Sequence, residues 1–87
     1  MTKFTIILKT TEYGPKASRK STPVRGAVSV DVVCGPDISD LINAAMTKGR
    51  IKGSAKLVEH VSPFPGRVQI DFDVDGQLYL LNAFMVQ

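Results

Sequence analysis

Asp71, Asp73 and Asp75 stand at every second residue, Gly76 follows, and Leu78 lies two further on. Those residue types match positions 1, 3, 5, 6 and 8 of a helix-flanked calcium loop, which wraps a hard cation in oxygen ligands. Position twelve should carry a bidentate Glu, and here it is Asn82. The flanks alternate with period 2, the pattern of strands, where the loop needs helices. The stretch therefore reads as a hairpin with solvated carboxylates on one face, and no metal is expected. Those carboxylates could pair with Lys or Arg on a neighbouring strand, or keep nucleic acid off their face.

Cys34 and His60 are the one thiol and the one imidazole of the chain. Such a pair can carry nucleophilic catalysis when base and nucleophile meet. Neither residue sits in a nucleophile elbow or a Cys-His signature, and no Gly-rich phosphate loop is present. The chain reads as a non-enzyme with no cofactor. Cys34, at a strand end, reads as a small apolar residue.

Two basic stretches remain. "TEYGPKASRKSTPVRG", residues 11–26, sets Lys16, Arg19, Lys20 and Arg25 against Glu12, with Pro15 and Pro23 interrupting it. No hydrophobic period runs through it, so it is expected to be a basic, flexible loop or arm. It includes Tyr13, and proteins that hold single strands combine a basic groove with aromatic rings on which bases stack. Phe64 and Tyr79 could extend such a platform from elsewhere. "TKGRIKGSAK", residues 47–56, offers Lys48, Arg50, Lys52 and the N–H groups around its glycines to phosphates. The same bases would also suit a helix C-terminus, where the dipole favours cations.

The charge is segregated along the chain. Residues 1–26 hold six bases and one acid, net +5, and residues 27–47 hold three acids, net −3. Residues 48–67 carry net +4 and residues 68–87 net −3, for +3 in total. A polyanion is the natural partner of the basic parts; a soluble protein with a mixed surface is the plainer reading. The apolar run Phe4–Leu8 is too short for a signal-peptide core or a membrane span. A cytoplasmic location without membrane contact is therefore expected, and a lone thiol suits a reducing compartment.

The elements that must position these groups follow from periodicity. "KFTIILK" and "AVSVDVVC" alternate as strands, the second rich in the β-branched residues that strands favour. Ile38, Leu41, Ile42, Ala45 and Met46 fall on one helical stripe. Asp37 is placed to cap that helix, Asp40 lies in its first turn, and Gly49 is expected to end it in the left-handed conformation. This predicts a helix over 38–48. "SAKLVEHV" is a poorly alternating strand, stopped by Pro63 and Pro65 in "SPFPG". "RVQIDFDV" alternates strictly, Asp75-Gly76 suits a type I′ turn, and "QLYLLNAFMV" returns with no free polar face. At 87 residues the chain is one domain, 1–87, of class α+β. The order is β-β-α-β-β-β: one helix on a small antiparallel five-stranded sheet, open or closed into a barrel. A core this small is marginal, which makes self-association an expected support.

The layout resembles the small single-stranded-DNA-binding proteins of filamentous phages. "SRKSTPV" followed by "SVDV" is similar to their basic arm and the strand returning from it. "PFPGRVQIDFDVDGQLYLLNAFMV" is similar to their ending, a Pro-Gly turn leading into a hairpin. The resemblance implies an OB-like barrel, a homodimer and sequence-tolerant coating of single strands. By position it singles out Tyr13, Lys16, Arg19, Lys20 and Arg25 as the binding arm.

The expected function is non-catalytic binding of single-stranded nucleic acid, DNA before RNA, through Tyr13, Lys16, Arg19, Lys20, Arg25, Lys48, Arg50 and Lys52. The alternative is a small protein-binding module, such as a phage- or plasmid-encoded inhibitor or accessory subunit, for which the Asp71, Asp73 and Asp75 row would matter as much.

Overall fold

The computed structural model describes residues Met1–Gln87. Five strands and one helix follow in the expected order: β1 Thr2–Thr11, β2 Ser21–Cys34, α1 Ile38–Gly49, β3 Ala55–Phe64, β4 Arg67–Val74 and β5 Gln77–Met85. The strands form one antiparallel sheet in the order β2-β1-β5-β4-β3. β2 and β3 are its two edges and do not pair, so the sheet is open. The helix is not long and apolar enough to cross a membrane.

The alternation of the sequence divides the sheet into two faces. Phe4, Ile6 and Leu8 of β1, Ile70, Phe72 and Val74 of β4, and Leu81 and Ala83 of β5 are buried beneath the helix. Leu41, Ile42, Ala45 and Met46 close over them from the helical stripe. Each large side chain so buried contributes about 1.5–3 kcal/mol. The central register sets Ile6 opposite the small Ala83 and Ile70 opposite Leu81 under the helix.

The helix begins as its sequence dictates, with a capping box between Asp37 and Asp40 in which the Asp37 N–H donates to Asp40 Oδ2 at 3.3 Å. It ends one residue later than expected. Gly49 is its last helical residue, and Arg50 adopts the left-handed conformation at φ 54° that was expected of Gly49. The Ile51 N–H then donates to the Met46 carbonyl at 2.9 Å, satisfying a terminal acceptor.

The basic stretch 11–26 is shorter as a loop than its sequence suggests. β1 runs to Thr11 and β2 starts at Ser21, with Thr10 opposite Thr22 and Thr11 opposite Ser21. Ser and Thr pair well across antiparallel strands, and Pro23 is tolerated on an edge strand. The connecting arm is thus residues 12–20, with a single 3₁₀ turn at Lys16–Ser18. β2 is also bulged: its pairing to β1 shifts around Ser29, which has φ 55°, and again between Val28 and Pro23.

β3 is exposed along its whole length and extends through Pro63 to Phe64. The expected stop at Pro63 gives way because an edge strand leaves one side of its backbone unpaired. The Asp75-Gly76 turn has positive φ at both residues, 51° and 89°, as a type I′ turn requires.

Candidate nucleic-acid interface

On the face away from the helix, Glu59 of β3 lies directly opposite Asp71 of β4. Two carboxylates in that relation repel. The arm supplies the opposite charge to both. Lys16 Nζ stands 3.4 Å from Glu59 Oε2, and Arg19 Nη1 stands 3.3 Å from Asp71 Oδ2. Arg19 Nε also donates to the Gly14 carbonyl at 3.1 Å, which ties the guanidinium to the arm's own backbone. Tyr13 donates its O–H to Asp73 Oδ2 at 2.5 Å, and Asp73 Oδ1 accepts the Gly76 N–H at 2.9 Å. Those two donors hold the Asp73 carboxyl below its usual range, and the same bond pushes the Tyr13 phenol up. The arm therefore lies across one end of this face. Beneath it Asp71 and Leu78 are buried. A pocket of about 190 Å³ remains between arm and sheet, lined by Thr11, Ser21, His60 and Gln69 among others.

Three of the bases read from separate stretches of sequence come together elsewhere. Arg25, Gly26, Lys48, Gly49 and Arg50 line one cleft where the bulged β2 meets the helix C-terminus. Glycine makes that approach possible. A Cβ on Gly26 would stand 2.9 Å from the Lys48 carbonyl oxygen, and one on Gly49 would stand 2.9 Å from Val24 Cγ1. The ion pairs of the chain are Lys3–Asp31, Lys16–Glu59 and Arg19–Asp71, so Arg25, Lys48 and Arg50 have no acid partner. Lys20 and Lys52 are exposed and lie outside the cleft. Of the eight expected binding residues, Arg25, Lys48 and Arg50 are gathered, whereas Tyr13, Lys16 and Arg19 are held by acids of the sheet.

A third group contains Phe64, which the sequence offered as a stacking residue, and two neighbours that sequence reasoning missed, Arg67 and Phe84. Phe64, Arg67 and Phe84 sit opposite one another on β3, β4 and β5. The Arg67 guanidinium carbon lies 5.5 Å from the Phe64 ring centroid and 5.2 Å from that of Phe84. Its Nη2 donates to Asn82 Oδ1 at 3.2 Å, and its Nε is buried without an acceptor. The signal was available: the strict alternation that turns Val68 and Ile70 inward turns Arg67 outward. Tyr79 belongs to the other face, where its ring stacks on Phe72 at 5.3 Å. Cys34 and His60 lie on the two opposite edge strands and do not meet. Burial raises the Cys34 thiol above its usual range, away from the reactive thiolate.

Compared with protein-family models, curated proteins and solved structures, the chain matches none of the three.

Proposed function

We propose that this protein binds single-stranded nucleic acid without catalysing a reaction, and that Arg25, Lys48 and Arg50 contact its phosphates. The observation that carries this reading is their convergence in one cleft with no carboxylate to neutralise them. Unpaired cations grouped in this way neutralise phosphates and release counterions, which gives affinity without sequence preference. Lys20 and Lys52, both exposed, would extend the contact. The likeness of the arm and the final hairpin to filamentous-phage single-strand binders supports the same reading, DNA being the first strand to test and a homodimer the first assembly.

The deciding experiment is fluorescence anisotropy of a labelled single-stranded oligonucleotide at low and moderate salt, beside a duplex of the same length. The proposal requires salt-sensitive binding that prefers the single strand and is abolished by the triple change Arg25→Glu, Lys48→Glu and Arg50→Glu. Absence of binding at low salt would overturn it.

One observation favours a second reading, a protein-binding module. β3 is an edge strand with Leu57, Val58, Val61 and Phe64 all exposed, and an edge accepts a partner strand through its free backbone groups. Under that reading a pull-down should recover a protein partner, and shielding β3 with Val58→Pro should release it while leaving nucleic-acid binding at the cleft intact.

A further inference from the structure

We infer that the bases of the bound strand stack on the open face of the sheet, at the row formed by Phe64, Arg67 and Phe84. This rests on the single-strand reading above and adds to it the place where bases, as distinct from phosphates, are received.

The helix covers one face of the sheet, and the arm covers the other face only where Asp71 and Asp73 lie. The acids of the open face are thereby either screened by the arm or, for Asp31 at its margin, paired with Lys3 at 3.5 Å. What stays open is the opposite end. There Phe64 is about half exposed, Phe84 is partly exposed, and Arg67 lies between them. Lys9, on the same face, has no acid partner either. A polyanion approaching this face thus meets Arg67 and the two rings at one end, where Asp31, across Thr5 from Phe84, is paired with Lys3, and Lys9 beside the screened acids at the other.

The chemistry of the row suits an unpaired base. Every base has a π-face, so stacking on aromatic rings is strong and indifferent to sequence. A guanidinium held between two rings brings its charge to the stacking row, and Nη1 of Arg67 makes no hydrogen bond within the protein and is left for a phosphate. Asn82 fixes that orientation through Nη2. Phe64 and Phe84 stand two strands apart, about 10 Å, so each ring can serve a different base. A duplex offers no such faces, which gives the site a reason to prefer single strands.

The test compares a thymidine oligonucleotide with an abasic strand of the same length, which keeps the phosphates and removes the bases. The wild-type protein is expected to bind the thymidine strand at least about tenfold more tightly than the abasic one. Phe64→Ala and Phe84→Leu should shrink that gap severalfold and leave the salt dependence unchanged, and Phe84→Tyr should keep the gap. Phe64 is exposed, so Phe64→Ala alone reads the effect without a folding defect, and circular dichroism melting checks Phe84→Leu. Three results would overturn the inference. If the wild type binds both strands equally, the phosphate cleft stands and the stacking row falls. If neither strand binds, the single-strand reading and the inference fall together. If the protein is a dimer that Phe84→Leu makes monomeric, the face belongs to a second copy of the chain.

Discussion

Arg19 Nη1 reaches Asp71 Oδ2 at 3.3 Å across 52 residues of sequence, and both side chains are largely withdrawn from solvent, 15% and 6% exposed. A pair placed at this boundary is worth less than its Coulomb energy, because both ions lose water to form it. Removing one partner is the costly change, since the other charge is left buried alone. Arg19→Met should lower the unfolding free energy by about 1–3 kcal/mol in urea denaturation. Arg19→Met combined with Asp71→Asn should cost less than the two single changes added together, and a double-mutant cycle measures the difference.

The Tyr13–Asp73 bond makes a prediction about pH. Its carboxyl titrates below the usual 3.8 in the folded protein, so the bond's contribution is complete above that value and is lost as pH falls through the folded one. The phenol titrates above the usual 10.0, so on the alkaline side the contribution persists to that point and is lost as pH rises through the raised value. In Tyr13→Phe the Asp73 resonance followed by NMR should titrate closer to 3.8. The stability gap between wild type and variant should narrow below that pH, while a gap constant from neutral pH to strong acid would contradict the assignment.

Arg50 occupies a backbone conformation, φ 54°, that an L side chain enters at a cost and glycine enters freely. Arg50→Gly is therefore expected to raise the unfolding free energy by about 0.5–1 kcal/mol and, under the proposed function, to weaken nucleic-acid binding. Thermal melting and anisotropy on the same preparation would read the two effects. A variant that loses both stability and binding would mean that the side chain is needed by the fold.

Salt dependence separates the cleft from the arm. For single strands the logarithm of affinity falls with the logarithm of salt by about 0.7 per neutralised phosphate. Changing Arg25, Lys48 and Arg50 to Gln should flatten that slope by about 2. Lys16→Gln should leave it nearly unchanged, because its charge is already paired with Glu59. Equal slopes in the two variants would return the arm to the phosphate contact.

The sheet and helix were legible because their burial is one-sided. "RVQIDFDV" alternates since one face of β4 lies under the helix, and the stripe from Ile38 to Met46 marks the helix face that covers it. β3 was faint for the converse reason: no residue of it is buried, so no burial pattern was imposed on its sequence. β5 looked apolar on both sides because the helix covers Leu81 and Ala83, while Leu78 lies buried on the opposite face, at the arm's end of the sheet. The candidate site was legible as a list of bases and illegible as an arrangement. Which bases meet acids depends on register, Glu59 beside Asp71, and which converge depends on Gly26 allowing β2 to touch the helix end. Both relations join residues far apart in the chain, beyond the reach of local pattern.

The middle strand of this sheet, β5, is also the last of its five strands in the chain. β1 can pair with β2 early, but its other edge stays open until Leu78–Met85 arrive to bridge it to β4. During synthesis the chain therefore carries two unjoined halves, with the apolar side chains of β1 and the helix stripe exposed. At about 5–20 residues per second that interval is brief on the ribosome, yet it ends only once the final strand is free of the exit tunnel. Completion of the sheet thus waits for its fifth strand, and a protein shortened by that strand would have no sheet to complete.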